Sequence, residues 1–275
     1  LTFLREMIMR ELTIQRDGIN LHVQVDGPET PGTPTLVFSN SLGTTLHLWD
    51  PLIPLLPAGL RIIRYDMRGH GRSDAPDAPY AMGALVSDVE AVCDALHVRD
   101  AMFIGLSVGG MIGQGLAIKR LDIVRALVLS NTAAKIGNAQ FWQERIEQVT
   151  QQGLSAMADG VIARWFGPAF RNSPAVKPWR DMLIATPKEG YIGVCAAIAG
   201  TDFYTPTSGL RLPTLGIAGT EDQSTPPDLV RETIELIPGS DFKIMRKLGH
   251  LPCVEDPEGY AGLLRDFITK TGHQA

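Results

Sequence analysis

The sequence predicts an open, mostly parallel α/β sheet with a block of helices inserted late in the chain. Short, continuously apolar runs at residues 101–106, 126–129 and 214–218 suit strands buried on both faces, as parallel strands are. Stretches with helical spacing separate these runs, so successive strands are joined by crossovers. From about residue 133 to residue 205 the alternation stops, and helical periodicity continues with no strand-like run. A content of 44% hydrophobic and 20% charged residues is that of a chain with a folded core. Its 275 residues fit one large domain with an insertion as well as two modules.

Residues 10–16 and 19–26 alternate in β fashion around Asp17-Gly18, a dipeptide that favours a hairpin turn. A Pro- and Gly-rich loop over 28–34 leads to a short apolar strand at 35–39. Residues 48–56 read as a helix and 61–65 as the next strand. Residues 81–96 follow as a helix, with Leu85, Val89, Val92 and Leu96 on one face. After the strand at 101–106, residues 108–119 are apolar on most sides and predict a buried helix. Beyond the strand at 126–129, helical spacing over 141–149 and 154–166 comes with Trp142, Trp165 and Trp179 and several prolines. The strand at 214–218, a helix opened by Pro226-Pro227 and a last strand at 242–245 close the pattern, eight strands in all. The expected division is an N-terminal extension (1–9), a core (10–132 and 206–275) and a helical cap (133–205) over the sheet's carboxyl edge.

A net charge of −5 without any Lys/Arg run argues against nucleic acid or an anionic membrane surface as partner. The longest apolar stretch, 191–199, falls short of the ~18 residues a membrane span needs. The first nine residues carry Arg5 and Glu6 and no small-residue cleavage site, unlike a secretory signal; Met7 or Met9 is the expected natural start. Cys93, Cys195 and Cys253 lie far apart with no C-x-x-C, which predicts reduced thiols in a cytoplasmic protein. No H-E-x-x-H, His/Cys cluster, G-x-x-x-x-G-K-[ST] or G-x-G-x-x-G is present, so neither a metal nor a cofactor is expected.

Gly105-Leu106-Ser107-Val108-Gly109 is the sharpest local signal. A buried strand ends at Leu106 and a helix begins after Ser107, the strand–turn–helix setting a nucleophilic serine requires. There the helix N-terminus favours developing negative charge. A serine nucleophile needs a base. Of six histidines, His250 alone follows a predicted strand and opens a loop, at the sheet edge where open α/β sheets bind ligands. The other five read as surface or satisfied core residues. Asp222, in Gly219-Thr-Glu-Asp-Gln223, also follows a strand, and its neighbour Glu221 is the rival for orienting the base. Ser107, Asp222 and His250 thus each stand just beyond a separate strand.

With that chain order the sequence resembles the α/β-hydrolases. Phe38-Ser-Asn-Ser-Leu-Gly43 resembles the family's oxyanion loop, with Asn40-Ser41 in place of the usual His-Gly. The resemblance implies a catalytic triad of Ser107, Asp222 and His250, with backbone N–H groups of Leu42 and Val108 forming the oxyanion hole. Asp66-Met-Arg-Gly-His-Gly-Arg-Ser73 resembles a structural turn, which assigns Arg68 and His70 to the scaffold. Within the superfamily, Ser130-Asn-Thr-Ala-Ala-Lys-Ile-Gly137, Trp142-Gln-Glu-Arg-Ile146, Arg164-Trp-Phe166 and Thr186-Pro-Lys-Glu-Gly-Tyr191 are similar to 3-oxoadipate enol-lactonases. That similarity implies a serine esterase opening a small lactone that carries a carboxylate, a step in aromatic-compound degradation. Residues 133–205 hold a slight excess of cations; Arg145 is the candidate carboxylate partner, and Trp142, one helical turn away, the candidate pocket wall. A carboxylesterase, a carbon–carbon bond hydrolase, a cofactor-free perhydrolase and a small-molecule receptor on a hydrolase scaffold stay open as alternatives, as does a homo-oligomer.

Overall fold

The structure is a computed structural model and describes residues 9–274; residues 1–8 of the expected extension lie outside the described residues. Met9, expected in that extension, instead opens β1 (Met9–Arg16). β1 pairs antiparallel with β2 (Ile19–Asp26) across Asp17-Gly18, where both residues have positive φ. β3 (Thr35–Ser39) is buried throughout. The helix expected over 48–56 is absent. In its place stand two 3₁₀ turns, Leu46–Trp49 and Ile53–Leu55, because Pro51 and Pro54 remove the N–H donors a continuous helix needs. β4 (Arg61–Tyr65), α1 (Met82–Ala95), β5 (Ala101–Leu106), α2 (Val108–Lys119) and β6 (Val124–Ser130) then follow as strand–helix units.

Between β6 and β7 lie α3 (Ala139–Trp165), α4 (Pro168–Arg171), α5 (Lys177–Ala185), α6 (Lys188–Ala199) and α7 (Tyr204–Ser208). The two helical patterns expected at 141–149 and 154–166 are two helical segments of α3, separated at Gly153, whose φ of 74° and ψ of 168° are not helical. The core resumes with β7 (Thr214–Gly219), α8 (Pro227–Glu235), β8 (Asp241–Met245), α9 (Pro252–Glu255) and α10 (Pro257–Lys270). Among the described residues no helix is long and apolar enough to cross a membrane.

The eight strands form one sheet in the order β1-β2-β4-β3-β5-β6-β7-β8, parallel from β4 to β8. Register assigns the layers. Val37 pairs with Phe103 and Phe38 with Ile104, so Phe38 and Phe103 point to opposite faces. Phe103 abuts α2 at Gly113, whereas Phe38 packs on Trp49 and Trp49 on Tyr260 of α10. Gly216 of β7, on the Phe103 face, lies against Ile234 of α8. From β3 the chain turns to β4 on one side, and β5 lies on the other. The carboxyl ends of β3 and β5 therefore flank a topological switch point, the crevice where open α/β sheets bind ligands.

Candidate active site

Ser107 stands at that crevice, between β5 and α2, with φ 58° and ψ −122°. Such a conformation costs a non-glycine residue about 1–3 kcal/mol, so its surroundings must hold it. Ser107 N–H donates to Ser130 O at 3.0 Å, and Ser107 O accepts from Thr132 Oγ1 at 2.6 Å. The flanking glycines are required by close approach. A Cβ on Gly105 would lie 2.3 Å from Gly109 O, and one on Gly109 would lie 2.2 Å from Ser39 O.

The loop after β3 is fixed from two sides. Asn40 donates from Nδ2 to Tyr65 O at 2.8 Å and accepts from Trp49 Nε1 at 2.7 Å. Gly43 N–H donates to His70 Nε2 at 2.9 Å, and His70 Nδ1 lies 3.3 Å from Arg68 O. Burial lowers the His70 pKa to about 4, so its ring stays neutral and its Nε2 free to accept. Arg68 in turn forms two bonds with Asp88, at 2.5 and 2.6 Å. His70 and Arg68 therefore brace the loop that carries Leu42. Leu42 N–H has no hydrogen-bond acceptor among the described residues, and Val108, as the first residue of α2, has an N–H outside the helical ladder.

His250 follows β8 and is buried; its Nδ1 lies 2.8 Å from Asp222 Oδ2. Asp222 follows β7 and receives four further donors. Ser224 and Thr225 N–H reach Oδ1 at 2.7 and 3.1 Å, and Thr225 Oγ1 and Asn131 Nδ2 reach Oδ2 at 2.7 and 2.8 Å. Burial pushes this carboxyl up, but the His250 ring and the donors outweigh it and hold Asp222 below the ordinary carboxylate value. Glu221, the sequence rival, is exposed. Asn131 and Thr225 escaped the sequence reading, although Asn131 stands just beyond β6 in the position that marks Ser107, Asp222 and His250 on their strands.

Ser107, Leu42, His250, Trp142 and Arg145 line one cavity of about 380 Å³; Asp222 sits behind His250, and Val108 lies beneath Ser107 with its side chain buried. The far wall comes from α3 and α6, with Ile136 and Gly137 just before them. Trp142 is anchored by its Nε1–H to Ile136 O at 2.6 Å. The Arg145 guanidinium lies 5.7 Å from the Phe141 ring centroid. Arg164, which the sequence offered only as part of a resemblance, also lines the cavity. Burial, then repulsion from Arg145, lowers its pKa. Neither arginine forms an ion pair among the described residues, whereas the paired arginines, such as Arg64 with Asp26 and Arg68 with Asp88, lie elsewhere. Of the remaining histidines, His22 meets Asp66, His47 meets Asp50, and His273 lies 2.8 Å from Thr35 O.

Residues 34–257 match the protein family described as the alpha/beta hydrolase fold. The chain is 38% identical over 229 residues to 3-oxoadipate enol-lactonase 2 of Acinetobacter baylyi, covering 82% of this chain and 85% of that protein. It is 33% identical to 3-oxoadipate enol-lactonase 1 of the same organism, covering 92% and 94%. Among solved structures it is similar to the enol-lactonase from Burkholderia xenovorans LB400, with a TM-score of 0.89, 35% identity and coverage of 94% and 100%. The chain belongs to the α/β-hydrolase family, among relatives that include the 3-oxoadipate enol-lactonases.

Proposed function

We propose that this protein opens the lactone ring of 3-oxoadipate enol-lactone, with Ser107 as nucleophile, His250 as general base and Asp222 as its partner, beneath residues 133–205 acting as a cap. His250 takes the Ser107 proton as Oγ attacks the lactone carbonyl. The oxyanion is held by the N–H groups of Leu42 and Val108, each such donor contributing about 10²–10³ in rate. The ring C–O bond then breaks. His250 returns the proton to the departing enol oxygen, which stays tethered in the acyl chain and tautomerises to the ketone. Water, deprotonated by the same imidazole, attacks the acyl-enzyme, releases the acid and restores Ser107.

One observation carries the reading: a single cavity is lined by Ser107 and His250 and by two guanidiniums without carboxylate partners among the described residues. A pocket for neutral esters gains nothing from two uncompensated charges in a partly buried wall. A substrate carboxylate supplies the missing charge and accepts from both arginines. The likeness to named enol-lactonases supports the same substrate class.

The test is a substrate panel of the enol-lactone, a neutral lactone and a neutral aryl ester, run on the wild type and on Arg145→Ala and Arg164→Ala. The expected result is a preference for the enol-lactone. Each variant should raise its KM by about 10–100-fold, the worth of a charge-assisted hydrogen bond, and leave the neutral substrates within about threefold. Equal effects on charged and neutral substrates would remove the arginines from the carboxylate role and favour an ordinary carboxylesterase.

A further inference from the structure

Glu255 stands at the end of α9, outside the cavity, and forms no ion pair among the described residues. Its carboxylate accepts from two backbone N–H groups on different parts of the chain. Oε1 takes Gly249 N–H at 2.6 Å, in the loop of His250, and Oε2 takes Gly167 N–H at 2.9 Å, just after α3. Around it the two segments lie backbone to backbone. His250 and Leu251 N–H donate to Trp165 O at 2.7 and 3.3 Å. A Cβ on Gly249 would lie 2.5 Å from Trp165 O, so no side chain fits between them. Gly249 is gripped at its other end too, for its carbonyl accepts from Asn131 Nδ2, the group that also holds Asp222. The peptide preceding the imidazole is thus fixed by Glu255 on one side and by the Asp222 network on the other. The end of α3 held by the same carboxylate carries Arg164 and Trp165 into the cavity wall.

We propose that Glu255 is a positioning residue: its ionised carboxylate latches the cap's α3 terminus to the His250 loop, so that imidazole and substrate-binding wall are set together. The latch rests on His250 serving Ser107 in hydrolysis and not on the identity of the lactone. The ionised form accepts most strongly from both N–H groups at once; protonation weakens one oxygen as an acceptor, and an amide turns an NH₂ donor toward one of the two. The charge is kept at a cost. Burial first, then repulsion from Asp222 and Glu221 in the β7–α8 loop, pushes Glu255 up to about 7 against its two N–H bonds. Lys247 is exposed and Arg164 faces the cavity, and neither pairs with it; the neighbouring Asp256 spends its carboxylate on Gly259 N–H at 2.9 Å. Because folding favours the neutral carboxyl, the stability drawn from it is full below the ordinary glutamate pKa and is lost as pH rises through about 7. A charge that costs stability yet is aimed at the base and the cap is the pattern of a functional group.

The test compares the wild type with Glu255→Gln. At pH 8 the variant should melt no lower than the wild type, while turnover of a small neutral aryl ester and labelling of Ser107 by a fluorophosphonate both slow by about tenfold. In the wild type, the amide resonances of Gly167 and Gly249 should titrate together with a midpoint near pH 7, and neither should do so in the variant. Wild-type kinetics in the variant, or a lowered melting temperature with unchanged kinetics, would overturn the latch. So would glycine amides that titrate independently. A wild type that resists the fluorophosphonate would count against Ser107 as nucleophile, and the amide titration and melting would still decide the latch.

Discussion

The Asp222 carboxylate shows how tightly a single side chain is specified here. All five of its partners donate, two to Oδ1 and three to Oδ2. An asparagine in its place would point its NH₂ at donors whichever way the amide turned, and would remove the charge facing the imidazole. The His250 Nδ1–H would then lose its acceptor, and with it the orientation proposed for the ring. Asp222→Asn is therefore expected to lower kcat by about 10³–10⁴-fold, the scale seen when a triad carboxylate becomes an amide, with KM little changed. Steady-state kinetics beside a melting curve check this, and a loss below tenfold in a folded variant would contradict it. Residues of this kind are legible from sequence in unequal degree. Ser107, Asp222 and His250 stand out because each follows a strand at the sheet's carboxyl edge. Asn131 does so too, yet an asparagine after a strand is ordinary, and only its bonds to Asp222 and Gly249 give it meaning.

At the scale of elements, the turn between β5 and α2 concentrates strain and close packing. A methyl group at 109 would meet the backbone of Ser39 at the end of β3 and would drive α2 away from the loop carrying Leu42. Gly109→Ala is expected to destabilise the fold by about 1–3 kcal/mol, as overpacking does, and to slow turnover more than it raises KM. Thermal unfolding and kinetics measure the two effects. An unchanged melting temperature would show that the backbone has room to give. The central strands and α2 were readable because burial on both faces writes them as unbroken apolar runs. The segment after β3 misled because its spacing is helical while Pro51 and Pro54 break it into 3₁₀ turns. The bend at Gly153 was visible only as a gap between two helical patterns, and the lining of one cavity by both Arg145 and Arg164 could not be inferred across it.

At the scale of the whole molecule, the carboxyl edge of one sheet gathers the ends of β3, β5, β6, β7 and β8, and the helices between β6 and β7 close over it. The sheet edge supplies Ser107 and His250 to the cavity; the insertion supplies its cationic and aromatic walls. Glu255 joins the two parts at the exit of α3. Against a net charge of −5, the unpaired arginines would offer the proposed lactone carboxylate a local cationic wall that the outer surface does not. What no spacing in the sequence revealed is this meeting of distant segments, since contacts such as Glu255 with Gly167 span most of the insertion and the returning core. In the proposed mechanism Ser107 carries the acyl group. Its most direct measurement is mass spectrometry of the enzyme quenched during turnover of the enol-lactone, with Ser107→Ala alongside. A transient acyl ester on Ser107 is expected, with a variant slowed by a factor on the order of 10⁴ or more while still folded. A variant with near-native turnover would contradict it.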